Sequence, residues 1–232
     1  MKKLSIIIPV YNEKNTILRI LELVEKIELP LEKEIVIIDD GSTDGTTEIL
    51  KTIDNAKYKI ILEDRNRGKG FSVRRGFAEA TGDIIIIQDA DLEYDPRDYK
   101  RLLQPILDDQ ADVVYGSRFF GDQPHRVLYF WHYLGNKFLT LLSNIFTGIN
   151  LSDMEVCYKV FRKQVIDSFA EKLQSNRFGI EPELTARVSK GGWRIYEVGI
   201  SYYGRTYADG KKIGWKDGLS SIWHILRFNI FG

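Results

Sequence analysis

Apolar positions along the first half of the chain switch repeatedly between a strand period and a helix period. Leu4 to Val10 is a nearly continuous apolar run of strand length, and the segment after it places Ile17, Ile20, Leu21, Val24 and Ile27 at helical spacing. Glu34 to Asp39 predicts a second strand, and Ser42, Thr43 and Asp44 supply capping residues before a helical segment from Thr46 to Ile53. Lys59 to Leu62 predicts a third strand, Phe71 to Ala80 a helix and Asp83 to Ile87 a fourth strand. Pro96 opens another helix, and Asp112 to Tyr115 predicts a fifth strand. Such alternation with short connections implies an α/β fold, a mostly parallel central sheet flanked by helices.

The second half has a different texture. From Val127-Leu128-Tyr129-Phe130-Trp131 to Ile149 the pattern is a long, aromatic-rich helix. At about 1.5 Å per residue it approaches membrane thickness. His132, Gly135, Asn136, Lys137 and Asn144 interrupt the apolar run, so an interfacial or core-packed helix is expected rather than a spanning one. Tyr158 to Phe161 is strand-like, and Phe178-Gly179-Ile180-Glu181-Pro182-Glu183 opens a helix whose acids suit a helix start. Trp193 to Val198 and Ile200 to Tyr203 predict two short strands. Trp215, Leu219, Ile222, Trp223, Leu226, Phe228 and Phe231 then line a final amphipathic helix.

Composition narrows the class. The 232 residues suit one large domain, and 44% hydrophobic content is ample for its core. Lys plus Arg equals Asp plus Glu at 33 each, so whole-chain charge gives no argument for nucleic acid as a partner. The single cysteine, Cys157, excludes an internal disulfide and fits a reducing compartment. Met1-Lys2-Lys3-Leu4 leads straight into a strand instead of a signal peptide, and the expected location is cytoplasmic.

The predicted strand ends carry the chemistry. Gln88-Asp89-Ala90-Asp91-Leu92-Glu93 follows the apolar run Ile84 to Ile87, so a buried strand delivers carboxylates to its carboxyl end. Ligands of open α/β sheets collect there, and clustered carboxylates suit a hard divalent cation bridging phosphate oxygens. An EF-hand loop is a poorer match, because Tyr94 stands where such a loop needs Gly. Pro9-Val10-Tyr11-Asn12-Glu13 offers an aromatic face and a carboxylate. Asp39 and Asp40, in the loop continuing to Gly45, could accept hydrogen bonds from a base or ribose; the alternative is that Asp40 and Asp44 shape the turn and cap a helix. Arg65-Asn66-Arg67-Gly68-Lys69-Gly70 opens a helix where backbone N–H groups and Lys69 could face phosphate.

Five segments in this order resemble the family 2 glycosyltransferases with the GT-A fold, and particularly the polyprenyl-phosphate (dolichol-phosphate) sugar synthases. They are Ile8-Pro9-Val10-Tyr11-Asn12-Glu13, Ile38 to Gly45, Asn66-Arg67-Gly68-Lys69-Gly70, Gln88-Asp89-Ala90-Asp91 and Tyr115-Gly116-Ser117-Arg118. The resemblance implies a single domain over 1–232, with a nucleotide-sugar half at 1–118 and an acceptor-side, membrane-facing half at 119–232. It implies that Pro9, Tyr11, Glu13 and Asp40 hold the nucleoside, and that Asp89 and Asp91 serve the nucleotide and its metal. Glu93 stands where many of these synthases have glutamine, and it still suits Mg2+ or Mn2+. The implied reaction is inverting: a sugar leaves a GDP- or UDP-linked donor for polyprenyl phosphate at the inner face of the membrane, with peripheral membrane contact.

Acceptor-side candidates are Arg118, Arg126 and Arg205, the last resembling an arginine that contacts phosphate from a mobile loop in the lipid-phosphate synthases. Residues 187 to 217 hold seven basic and three acidic side chains, including Lys211, Lys212 and Lys216. The basic cluster those synthases carry is missing around Tyr129 to Leu134. A hydroxyl acceptor, as in polysaccharide assembly, would need a base, for which Asp153 and then Glu155 are the candidates, against local capping or ion pairing. A noncatalytic nucleotide-sugar-binding or membrane-associated module is the reading from another class.

Overall fold

The run Leu4 to Val10 becomes an interior strand of the sheet, since it has almost no hydrophilic face to turn to water. The computed structural model describes residues 2–53, 56–127, 129–206 and 215–231. Strand β1 (Lys3–Val10) pairs in parallel with β2 (Glu32–Asp39) on one side and with β4 (Ile84–Ile87) on the other. All four isoleucines of β4 are buried. With β3 (Lys59–Leu62), β5 (Val113–Ser117), β6 (Lys159–Arg162) and β7 (Ile195–Gly199), the order across the sheet is β3-β2-β1-β4-β6-β5-β7. Only β6 runs against its neighbours, antiparallel to both β4 and β5.

Helices α1 (Ile17–Lys26), α2 (Thr46–Lys51), α3 (Lys69–Glu79) and α4 (Tyr99–Leu107) connect the parallel strands. Helix α5 (Phe130–Thr147) leads through β6 and the short α6 (Lys163–Asp167) to α7 (Ile180–Lys190), and α8 (Trp215–Ile230) closes the described chain. Helices α5, α7 and α8 pack on one another around a small cluster of Leu139, Met154 and Ile225. No described helix is long and apolar enough to cross a membrane.

One expected strand is absent. Ile200 to Tyr203 is extended but forms no ladder, because successive groups bond to different elements. Ser201 N–H donates to Asp98 (2.8 Å), Tyr202 N–H to the Pro124 carbonyl (3.1 Å) and Tyr203 N–H to the Glu93 carbonyl (2.9 Å). The segment is thereby stitched over the end of β4. Leu128, Lys211, Lys212 and the side chains of Trp215 and Lys216 lie outside the described residues.

Helix α3 lies close on the sheet at Gly76, where an added Cβ would overlap Ile7 Cγ2 and press Ile38 Cδ1 at 3.1 Å. Overpacking of this kind costs about 1–3 kcal/mol, against roughly 1 kcal/mol gained in helix propensity. Gly76→Ala is therefore expected to lower the urea midpoint. A midpoint that rises would show that α3 can lift from the sheet without loss.

Candidate active site

Strands β1 and β4 lie side by side, but the chain leaves them toward opposite edges of the sheet. A crevice opens at their carboxyl ends, as it does wherever strand order reverses in an α/β sheet. Both exits turn through left-handed backbone, at Asn12 (φ 54°) and Leu92 (φ 64°). Asn tolerates that conformation, whereas Leu92 pays strain for it, and such strain collects at functional turns. Asn12 also knits two loops together: its N–H donates to Ser42 Oγ (2.9 Å), and its Oδ1 accepts from Thr43 N–H (2.8 Å).

The β2 exit carries the adjacent carboxylates Asp39 and Asp40, both buried. Asp39 accepts from Ser42 Oγ (2.5 Å), Ser42 N–H (3.2 Å) and Thr47 Oγ1, so it shapes its own turn. Asp40 reaches across to the α3 entry, where it accepts backbone N–H groups from Arg67 (2.8 Å) and Gly68 (2.7 Å). Burial raises the Asp40 pKa against those two bonds. Gly41 lets the loops approach, since a Cβ there would meet the Arg65 backbone at 2.5–2.6 Å, and its φ is +68°. Pro9 is on β1 opposite Ile38, and Tyr11 is half-buried just past the strand.

The densest charge is between Glu13 and the β4 exit. The Arg205 guanidinium meets Glu13 with both terminal nitrogens (3.1 and 3.3 Å) and Asp91 with one (3.0 Å). Glu93 accepts the Arg205 backbone N–H (2.7 Å) and the Tyr202 hydroxyl (2.9 Å), and its carboxylate is 3.7 Å from Arg205 Nε. Burial first, then the charges of Asp89 and Glu93, push Asp91 up to about 7 against the pull of Arg205. Among the described residues no three acidic, histidine or cysteine groups are drawn together as a ready metal cluster. The chemistry nevertheless fits a hard cation: the donors are carboxylate oxygens, and a guanidinium already stands among them as a cation.

Asp89 points the other way, to Lys69 (2.8 Å), which also approaches Glu181 at 3.4 Å. Glu181 pairs with the fully buried Lys159. A line of alternating charge thus runs from the β4 exit through α3 and α7 into the interior. Burial works to lower the Lys69 pKa, yet Asp89, Cys157 and Glu181 outweigh it and hold it well above the ordinary value. Gln88 anchors the start of this exit, its Oε1 accepting from Tyr99 and Tyr158 (2.7 Å each). Cys157 is buried, and burial raises its thiol pKa, so it is a packing residue.

On the other flank Arg118 grips Asp153 with two bonds of 2.7 Å, and its backbone N–H adds a third of 3.0 Å. Asp153 is fully buried. Both of its oxygens accept from the Arg118 guanidinium. The Arg118 guanidinium lies 5.3 Å from the Tyr202 ring, so Tyr202 touches both this pair and Glu93. Arg126 donates to the Gly204 carbonyl (3.0 Å) in the same segment. Glu155 is half-buried, with its Oε1 inaccessible and without a hydrogen-bond partner among the described residues. Burial, then the Glu181 charge, push it up to about 7, against Lys159, Ser221 and Arg118.

The structure therefore brings Glu13, Asp91, Glu93 and Arg205 together, gives Asp89 to Lys69, and sets Asp153 with Arg118 apart. Sequence reasoning missed Tyr202 and the Lys159–Glu181 pair. A lysine inside the apolar run Tyr158 to Phe161 was the available signal, since a buried ammonium needs a carboxylate partner.

The glycosyl transferase family 2 model matches residues 5–169. The undecaprenyl-phosphate 4-deoxy-4-formamido-L-arabinose transferase of Proteus mirabilis (strain HI4320) is 29% identical over 217 residues, 91% of this chain and 63% of that protein. The transferase of the same name from Aeromonas hydrophila subsp. hydrophila is 30% identical over 173 residues, 72% and 51% respectively. The chain thus spans less than two thirds of these curated relatives. Glucosyl-3-phosphoglycerate synthase from Mycobacterium tuberculosis, crystallised with Mn2+, UDP and phosphoglyceric acid, superposes with a TM-score of 0.72 at 16% identity, over 100% of this chain and 80% of the synthase. A further crystal structure of that synthase gives 0.74 at 18% identity, over 98% and 81%. The shared fold is GT-A.

Two outcomes follow from the site's charges. Arg205→Gln removes the resident cation, so without nucleotide it is expected to bind Mn2+ several-fold more tightly than the wild type in an electron paramagnetic resonance titration. Unchanged or weaker binding would remove Arg205 from the cation's place. The raised Glu155 pKa means that the folded chain keeps a proton the unfolded chain releases above the ordinary value of 4.5. Its contribution is present below that value and is lost as pH rises toward 7. Glu155→Gln should accordingly gain stability relative to wild type between pH 5 and pH 8 in thermal melts.

Proposed function

The chain belongs to glycosyl transferase family 2, and we propose that it is an inverting glycosyltransferase moving a sugar from a nucleoside diphosphate to a polyprenyl phosphate. The acceptor we assign is undecaprenyl phosphate rather than a dolichyl lipid, in keeping with the names of the Proteus and Aeromonas relatives. Its place is peripheral, at the inner face of the membrane. The observation that carries the reading is the convergence of Glu13, Asp91 and Glu93 on Arg205 at the carboxyl ends of β1 and β4.

Each side chain has a part in that reaction. Tyr11, Glu13 and Asp40 line the nucleoside side with Pro9 and Asp39, and Lys69 beside Asp89 faces the diphosphate. Mg2+ or Mn2+ held by Asp91 with Asp89 and Glu93 would neutralise charge on the departing diphosphate. Arg205, which presents a two-pronged guanidinium to Glu13, offers the same fork to phosphate oxygens. The acceptor oxygen attacks the sugar from the face opposite the diphosphate. A new carbon–oxygen bond forms as the bond to the nucleoside diphosphate breaks.

A phosphate acceptor is already anionic and needs no strong base, which agrees with an Asp153 whose oxygens are committed to Arg118. The exposed apolar side chains of α5 and α8, Trp131 and Phe138 on one and Leu219 and Trp223 on the other, suit contact with the membrane surface. A second reading, transfer to a saccharide hydroxyl, rests on Glu155. A buried, unpartnered oxygen with a pKa near 7 has the character of a general base.

The experiment is a screen of UDP- and GDP-linked sugars with and without undecaprenyl or dolichyl phosphate, following labelled sugar into organic solvent. Lipid-borne label with undecaprenyl phosphate is expected. Water-soluble product alone would favour the hydroxyl acceptor, and no turnover with any donor would favour a noncatalytic module. Asp91→Asn should cut nucleoside diphosphate release by about 10²-fold or more, the scale of losing one charge-stabilising group. Full activity in that variant would refute its role.

A further inference from the structure

Helices α3 and α7 meet near their N-termini, and the meeting fixes the backbone around Lys69. Phe71 N–H, in the first turn of α3, donates to the Asn176 carbonyl (3.0 Å), in the segment that leads into α7. A Cβ on Gly68 would meet that carbonyl oxygen at 2.4 Å, and one on Gly70 would meet the Ser175 carbonyl oxygen at 2.4 Å. The segment is itself held by Glu183, which accepts N–H groups from Gln174 (2.9 Å) and Ser175 (2.7 Å). With the backbone clamped on both sides, the flexible four-carbon stem of Lys69 is the part that can swing.

Two carboxylates stand within its reach, and they are used unequally. Asp89 receives the ammonium on both oxygens, at 2.8 and 3.1 Å. Glu181 gives Oε2 to Lys159, while its Oε1 lies 3.4 Å from Lys69, buried and without a hydrogen-bond partner among the described residues. An unmet carboxylate oxygen in the interior is costly, and it points to a second state in which it is met. Asp89 is also among the carboxylates assigned above to Mg2+ or Mn2+. A divalent cation on the oxygens that hold the ammonium would repel it, and an ammonium displaced from one buried carboxylate needs another.

We propose that Lys69 has two stations, Asp89 without metal and Glu181 once a divalent cation binds, and that Glu181 is the positioning residue that receives it. This rests on the metal-dependent donor reading and deepens it. Lys159 holds the other Glu181 oxygen and so fixes the carboxylate while Lys69 arrives. An ammonium has three donors, so one bond to Glu181 leaves two for the diphosphate.

The test is Mn2+ affinity by electron paramagnetic resonance titration, without nucleotide and with UDP or GDP. Lys159→Met is compared with Lys159→Met/Glu181→Gln, a pair that differs only at the receiving carboxylate and leaves no buried lysine without a partner. Lys159→Met should bind Mn2+ at least as tightly as the wild type. The double variant should bind it about 10-fold more weakly than Lys159→Met, the scale of one charge-assisted hydrogen bond. In a Lys69→Gln background the same change at Glu181 should alter affinity by less than about 2-fold, since the coupling runs through the lysine. Equal loss with and without Lys69 would make Glu181 a distant charge and overturn the stations, as would equal loss in Lys159→Met and the double variant. A loss confined to the nucleotide-free titrations would hand Lys69 to the diphosphate and overturn them too. The wild type supplies a reading that depends on no substitution at the pair: the 15N resonance of the Lys69 ammonium, assigned with Lys69→Arg, should move when Mg2+ and nucleotide are added, and a resonance that stays in place would overturn the swing. A wild type that binds no Mn2+ with either nucleotide would sink the metal-dependent reading and the stations with it; one that binds Mn2+ without coupling between Lys69 and Glu181 would sink the stations alone.

Discussion

Negative charge at the meeting of β1 and β4 is the constraint around which this molecule is arranged. Glu13, Asp89, Asp91 and Glu93 gather at the ends of two adjacent strands with apolar carboxyl-terminal halves, where partial burial strengthens their repulsion. Each is met by a cation from far along the chain: Lys69 from α3 serves Asp89, and Arg205 serves the other three. Long-range closure of the fold is thus an electrostatic matter as much as a hydrophobic one. The segment carrying Arg205 crosses the β4 exit, and its guanidinium offsets the repulsion among those carboxylates.

The same constraint explains why the interior holds ions at all. Lys159 is completely buried on β6, and Glu181 on α7 answers it, with Lys69 near the same carboxylate. Removing one member would strand the others in a medium that solvates them poorly. The array joins the strand-end loops to the helical layer of α5, α7 and α8, so geometry at the strand ends is tied to the surface with the exposed aromatic stripe. Tyr202 makes a second tie, one hydroxyl on Glu93 and one ring against Arg118.

Much of this was legible in the residue pattern, and the exceptions share a cause. The parallel strands and their helices announce themselves through local period, and Lys59–Leu62 falls where the pattern places it. Asp40 and Asp91 stand at strand ends because the apolar runs before them fix where each strand must stop. Ile200 to Tyr203 has the alternation of a strand but no neighbour with a free edge, so its groups bond singly to Asp98, Pro124 and Glu93. Partners more than a hundred residues apart, such as Arg205 with Asp91, leave no local trace. The ion pair of Asp153 is with Arg118, a partner that a one-dimensional reading cannot see beside it.

Strand β6 has a consequence for how the chain comes together. It enters antiparallel between β4 and β5, so those two strands never touch, although β5 follows β4 in sequence. A nascent chain that has just emerged through Ser117 therefore holds an open, all-isoleucine edge at β4 and a β5 with nowhere to dock. Some forty residues later, β6 supplies a surface to both at once. Neither the chain before Ser117 nor the chain after it owns a complete sheet. Synthesis from the ribosome passes through a stage in which this all-isoleucine strand waits, unpaired on one side, for the later chain to arrive.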